Sequence, residues 1–195
     1  MKKYQDHYFK KAKQEKYPAR SVYKLQEIDK RFHLLKKGIK VLDLGACPGS
    51  WTLFSSEKVG AQGQVVAIDL NPIQIKLPNY VITLEGDVFA PSEQIVQILN
   101  QHAPFHLVLS DMAPKTTGIK FADQSRSYEL AQEALQIAQK YLIAKGNFVV
   151  KIFNGPDVPD FLTQVKQTFK QVKQFKPKSS RQESKEIFVI GLNKL

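Results

Sequence analysis

Residues 146–153, Gly-Asn-Phe-Val-Val-Lys-Ile-Phe, have the apolar, β-branched character of a buried strand, yet Lys151 stands in their middle. A lysine is almost never fully buried without a partner, and an unpaired buried ammonium is very costly. Asp111 follows the apolar run FHLVLS and so falls at the rim of the sheet edge that Lys151 approaches. Two further residues are placed to join them: Lys24 in ARSVYKL, and Glu186, which opens the apolar strand pattern EIFVI. Singly, Lys24 reads as a solvated helix lysine, Glu186 as an exposed strand start and Asp111 as a turn residue. Lys151 alone has no comfortable structural reading. A lysine in such a cleft is suited to hold developing negative charge, or to take a proton where its surroundings keep it neutral.

A second group of residues reads as a cofactor loop. In VLDLGACPGSW (41–51), Gly45, Pro48 and Gly49 carry the chain from a strand into a helix. Glycines at such a turn let the backbone come close to a ligand. Asp69 ends the next strand, 20 residues after Gly49, where a carboxylate accepts hydrogen bonds from the ribose hydroxyls of a nucleoside. The dinucleotide fingerprint is GxGxxG. GACPG has fewer glycines and contains proline, so an adenosine cofactor without a pyrophosphate fits better, which points to S-adenosylmethionine. Asp87, in EGDV, either accepts from an adenine amine or forms a turn. Trp51 either lies against the cofactor or anchors the first helix in the core, the core being the more usual place for such a residue. Cys47 reads as a small residue in a tight loop. The four histidines, His7, His33, His102 and His106, show no metal-ligand spacing, and no metal is expected.

Holding these residues together requires strands that end on one edge. Strand patterns cover 39–46, 64–70, 80–88, 105–113, 146–153, 171–176 and 184–192, and helical patterns cover 21–32, 51–59, 92–101, 123–144 and 158–170. This alternation predicts an α/β fold, mainly parallel, with helices on both faces. The short final connection predicts an antiparallel last pair. Residues 1–18 read as an irregular basic arm, and 19–195 as one domain without internal repeats.

Nine of the eleven net positive charges of the 195-residue chain lie in its first 40 residues. Such asymmetry favours a polyanion partner, because neutralising phosphates releases counterions. Tyr4, Tyr8, Phe9 and Tyr17 interleave with the lysines and offer faces for base stacking; otherwise they pack on the body of the protein. No apolar run approaches the ~18 residues of a membrane span, and the N-terminus lacks the apolar core of a secretory signal. With Cys47 as its single cysteine the chain forms no internal disulfide, so a reducing compartment, the cytoplasm, is expected.

The segments ARSVYKL, VLDLGACPGSW, SDMAPKTTG, FVVKIF and SSRQESKEIFVI resemble, in order and spacing, the motifs of FtsJ-type ribosomal RNA ribose 2′-O-methyltransferases, from about Tyr17 to the C-terminus. The resemblance implies a Rossmann-like methyltransferase fold with a seven-stranded, mostly parallel sheet and an antiparallel last strand. It implies a catalytic tetrad of Lys24, Asp111, Lys151 and Glu186. Glu183 lies close by, but Glu186 is followed directly by the apolar strand. The implied S-adenosylmethionine site comprises Gly45, Pro48, Gly49, Trp51, Asp69, Asp87 and Asp111. Cys47 and Ser50 stand where the family more often has alanine and glycine. The implied substrate is ribosomal RNA, a uridine of the large subunit, and a monomer is expected.

The chemistry suits these residue types. A ribose hydroxyl is a weak acid that must be aimed in line at a sulfonium methyl and lose its proton as attack proceeds. A lysine serves as base only if brought well below its reference value of ~10.4. A second ammonium and partial burial work in that direction, and a carboxylate works against it. Lys24 and Lys151 are read as such a pair, oriented by Asp111 and Glu186, with Lys151 as the base or the group that stabilises the alkoxide. Methylation of tRNA or a cap would use the same tetrad. An idle RNA-binding ribosome-assembly factor would have no need of Lys151, and a small-molecule methyltransferase would not need the N-terminal charge.

Overall fold

The structure, a computed structural model, describes residues 7–195. Tyr4 and the rest of the first six residues of the expected arm lie outside the described residues. Apolar side chains at every second strand position divide the core between two faces of one sheet. In β1 (Lys40–Leu44), Val41 faces one layer of helices and Leu42 and Leu44 face the other. Parallel neighbours β2 (Gln64–Asp69), β3 (Val81–Glu85), β4 (Phe105–Ser110) and β5 (Leu142–Phe153) extend the sheet. Then β7 (Glu186–Lys194) runs antiparallel to β5, and β6 (Phe169–Phe175) closes the edge antiparallel to β7. The order of the seven strands is β3-β2-β1-β4-β5-β7-β6, the seven-stranded, mostly parallel α/β architecture that the sequence predicts.

Parallel neighbours need long crossovers, and the helices supply them. On one face α2 (Val22–Phe32) and α3 (Ser50–Val59) pack Leu25, Ile28, Trp51 and Phe54 on Val41, Leu107, Val149 and Phe188. On the other, α4 (Glu93–His102), α5 (Lys120–Tyr141) and α6 (Val158–Thr168) pack Leu99, Leu135 and Phe161 among Leu42, Val108, Phe148 and Val150. None of the described helices is long and apolar enough to cross a membrane.

Two elements differ from expectation. Residues expected to be irregular form a helix, α1 (His7–Gln14). So short a helix is marginal alone, and tertiary packing holds it: Ala12 is buried, and the Tyr8 ring lies on Tyr23 with centroids 5.4 Å apart. Of the aromatics in this region, Tyr17 also joins the body, donating to Glu57 at 2.6 Å, whereas Phe9 is exposed. The long helix α5 stops at Tyr141 rather than Ala144, because Leu142 pairs with Phe105 and begins β5. The register then shifts between that pair and Leu107–Asn147, and Lys145 takes a left-handed φ of 65° at the irregularity.

Candidate active site

The alternation that turns Val149 toward α2 carries Lys151 to the same face at the carboxyl end of β5. Lys151 pairs with Phe188 and Phe153 with Glu186 across the antiparallel ladder, so Glu186 falls on the Lys151 face two residues along β7. Asp111 follows β4, and α2 crosses above and delivers Lys24. The four side chains converge. Lys151 Nζ stands 3.0 Å from Asp111 Oδ1 and also donates to the Asp111 carbonyl. Lys24 Nζ is 2.7 Å from Glu186 Oε1 and 4.0 Å from Asp111 Oδ1. Lys151 and Glu186 are both buried, at 7% exposure, so the strand lysine is paired as its setting demands.

Two ammonium and two carboxylate groups balance in charge, yet the satisfaction is uneven. Asp111 Oδ1 is buried and accepts no well-directed hydrogen bond. Its contact with Lys151 is an ion pair, since that ammonium is aimed at the carbonyl. Glu186 is fully engaged: Ser180 Oγ donates to its Oε1 at 2.8 Å and Lys24 to its Oε2 at 2.8 Å. Burial acts to raise the Glu186 pKa, but Lys24, the Ser180 hydrogen bond and the charge of Lys151 outweigh it and hold the group below its ordinary value. Glu186 is therefore an anion at neutral pH, an anchor rather than a proton donor.

Asp111 also lines a cavity of about 750 Å³ at the carboxyl ends of β1, β2, β3 and β4, within the ~300–1,000 Å³ of small-ligand sites. Gly45, Asp69 and Asp87 lie on its wall, with Met112 and Leu130 among the apolar residues. Gly45 is required there: its φ is +73°, and a Cβ would meet Met112 Cγ at 2.3 Å. Gly49, at φ +103°, leaves no room for a side chain against Ile73 and Ile75. Asp69 fastens the loop, accepting from Cys47 N–H at 2.9 Å and Asn71 N–H at 2.8 Å. Asp87 forms the turn expected of its type, its Oδ1 accepting from Phe89 N–H at 2.9 Å, and also lines the cavity.

The wall fits S-adenosylmethionine chemically. Carboxylates of Asp69, Asp87, Asp111, Glu129 and Glu133 outnumber the cations of Lys115 and Arg126, which suits a cationic nucleoside bearing ribose hydroxyls and an amine. Of the two readings of Trp51, the structure shows the core one. Its indole is buried, donates to the Ser21 carbonyl at 2.9 Å and packs on Phe188 with centroids 5.8 Å apart. Only its main chain, in the first turn of α3, is left to serve a ligand. Pro48 is exposed on the loop, and neither it nor Gly49 lines the cavity wall.

A second cavity, of about 370 Å³, opens on the other side of the tetrad and is lined by Arg20, Lys24, Arg181, Glu183 and Glu186. Asp111 thus faces the first cavity and Lys24 with Glu186 the second, and the Lys151–Asp111 pair stands between them. Among the described residues no group of three or more His, Cys, Asp or Glu is placed to hold a metal ion. One neighbouring carboxyl escaped the sequence reading. Asp43, buried in β1, accepts from Thr52 Oγ1 at 2.7 Å. Burial, with the charges of Asp111 and Asp69 adding to it against the Thr52 hydrogen bond, pushes its pKa up from 3.8 to about 7. An aspartate inside the apolar run VLDL carries the same signal as a lysine inside FVVKIF.

Comparison with known proteins gives a consistent picture. The profile of the FtsJ-like methyltransferases matches residues 17–194. A ribosomal RNA large subunit methyltransferase E from Oleidesulfovibrio alaskensis is 57% identical over 98% of this chain and 93% of its own. The protein of that name from Bdellovibrio bacteriovorus is 47% identical over 97% of this chain and 96% of its own. A crystal structure described as a ribosomal RNA methyltransferase from Plasmodium falciparum superposes with a TM-score of 0.81 at 27% identity, covering 92% of this chain and 99% of that one. Aeropyrum pernix fibrillarin, solved with natively bound S-adenosyl-L-methionine, shares the fold at a TM-score of 0.59 and 12% identity, over 82% of this chain and 68% of its own.

Proposed function

The chain belongs to the FtsJ-like methyltransferase family, and from that premise we propose that it methylates a ribose 2′-hydroxyl of large-subunit ribosomal RNA, at a uridine, with S-adenosylmethionine as donor. The observation that carries this reading is the Lys151–Asp111 pair standing between the acidic nucleoside cavity and the cationic cavity beside Lys24. When bound, S-adenosylmethionine supplies an electrophilic sulfonium methyl.

The chain's own residues do the rest. Asp69 and Asp87 would hold the nucleoside, and Asp111, on the same wall, would supply negative charge to complement the sulfonium. Lys151, positioned by the Asp111 carboxylate and carbonyl, meets the acceptor hydroxyl: as the free amine it takes the hydroxyl proton, or as the ammonium it holds the developing charge while that proton passes to solvent, and either lowers the barrier to in-line attack. Lys24, anchored by the ionised Glu186, orients the acceptor nucleotide, while Arg20 and Arg181 line the same cavity and suit its phosphates. Contacts of this kind position RNA without reading its sequence. Exposed Lys10 and Lys13 on α1 extend the basic surface.

The reading includes an assembled large subunit as substrate, action in the cytoplasm where bacterial ribosomes are built, and a monomeric enzyme. Exposed large apolar residues among those described are few and, Ile119 and Phe121 apart, distant in sequence: Phe9, Leu70, Ile143 and Leu195, which supports the last point. The test uses labelled S-adenosylmethionine with large subunits lacking their modifications, free ribosomal RNA and tRNA, followed by nucleoside digestion. Label in 2′-O-methyluridine from the subunit supports the proposal. Label only in tRNA transfers the activity to another RNA, and cofactor binding without transfer to any RNA points to an idle assembly factor.

A further inference from the structure

The ten residues between β6 and β7 (176–185) form no regular strand or helix, yet they supply Arg181, Glu183 and Ser184 to the cavity beside the tetrad. Backbone N–H groups in such a segment must find partners elsewhere, and α2 provides them. Glu27 Oε2 accepts from Lys178 N–H at 2.7 Å, and Glu27 Oε1 accepts from Ser179 N–H at 2.8 Å. The Arg20 guanidinium donates to the Ser179 carbonyl, and Ser179 is completely buried. The next residue, Ser180, donates to the same Glu186 oxygen that Lys24 approaches at 2.7 Å. Lys24 and Glu27 are three residues apart on one face of α2, and Arg20 stands in the turn that leads into that helix.

We infer that Glu27 is a positioning residue for methyl transfer: its carboxylate fixes the 178–180 segment, and through Ser180 sets the Glu186–Lys24 pair and the wall of the acceptor cavity. Both carboxylate oxygens are used at once, each on a backbone N–H. Glutamine keeps the length but turns one acceptor into a donor facing an N–H. Aspartate keeps both acceptors on a stem shorter by one methylene. The cofactor cavity shares no lining residue with this segment, so an effect passing through Glu27 falls on the acceptor side.

This inference rests on the methyltransferase reading above. The test compares wild type, Glu27→Gln, Glu27→Asp, Ser180→Ala and the double variant Glu27→Gln/Ser180→Ala, each verified as folded by its thermal transition. Glu27→Gln is expected to lower kcat about tenfold and raise KM for RNA, with S-adenosylmethionine Kd within twofold, and Glu27→Asp to recover part of the loss. If Glu27 acts through Ser180, the double variant is no worse than the more damaging single one. Titration of the Glu186 carboxyl by NMR provides a readout independent of turnover: Glu27→Gln and Ser180→Ala each move it to higher pH, and the double variant moves it no further. Wild-type turnover by Glu27→Gln, or strictly additive effects, overturns the inference. Should wild type methylate no RNA, the functional reading fails by itself, and an unmoved Glu186 titration in Glu27→Gln would overturn the positioning role separately.

Discussion

Lys151 and Asp111 meet twice although 40 residues separate them: the ammonium lies 3.0 Å from the carboxylate and donates to the carbonyl of the same residue. That double hold explains how a lysine occupies an apolar strand. It also fixes the direction of the side chain, because a flexible four-carbon stem gripped at one residue by two acceptors has little freedom left. The lysine points to Asp111, which lines the larger cavity.

Asp69 is expected to govern cofactor affinity. It lines the nucleoside cavity and fastens the loop through Cys47 N–H and Asn71 N–H. Hydrogen bonds to a charged group contribute about 1.5–3 kcal/mol each, so losing a ribose contact and loop order together weakens binding by roughly 10- to 100-fold. Calorimetric titration of Asp69→Ala with S-adenosylmethionine measures this, and a Kd within threefold of wild type removes Asp69 from the site.

Trp51 is expected to matter to stability and not to affinity. Its indole N–H bonds the Ser21 carbonyl and its rings pack on Phe188 inside the core. Trp51→Phe keeps an aromatic ring but takes one of two donors from the half-buried Ser21 carbonyl, which retains Lys24 N–H at 3.1 Å, a loss of about 0.5–1.5 kcal/mol. Urea unfolding should register that loss while S-adenosylmethionine Kd changes less than threefold. The reverse pattern would return the indole to the cofactor.

The fold was legible because most strands carry one of two plain patterns, and because the last connection is too short for a parallel crossover. Lys151 was legible by its discomfort in an apolar run. Other features depend on contacts that no local pattern encodes. The α1 helix forms because Tyr8 finds Tyr23 in α2 and Ala12 is buried, a partner that its short lysine-rich sequence does not name. The start of β5 at Leu142 continues the apolar spacing of α5, so only pairing with Phe105 reveals the change. Glu27 looks like any helix glutamate until a loop about 150 residues onward brings two N–H groups to it. Glu129 and Glu133 reach the cofactor cavity because α5 passes over its mouth.

Asp43 makes stability depend on pH in an unusual direction. Its carboxyl is raised from 3.8 to about 7 in the folded protein, so across that interval the native state binds more protons than the unfolded one. Stability contributed by the protonated group is present in full below pH 3.8 and is lost as pH rises through about 7. Asp43→Asn removes the loss, and its advantage over wild type should grow on the order of 2 kcal/mol between pH 5 and pH 8. Urea midpoints at the two pH values test it, and an advantage equal at both would show that Asp43 does not titrate in this range.

The most direct test of the account is single-turnover methyl transfer by Lys151→Ala, at saturating S-adenosylmethionine and saturating large-subunit substrate. Positioned proton transfer contributes ~10²- to 10⁴-fold, so the rate of 2′-O-methyl formation should fall by at least ~100-fold while S-adenosylmethionine Kd stays within about threefold. A rate near that of wild type would contradict the central claim, that the lysine is in this strand because the reaction needs it there.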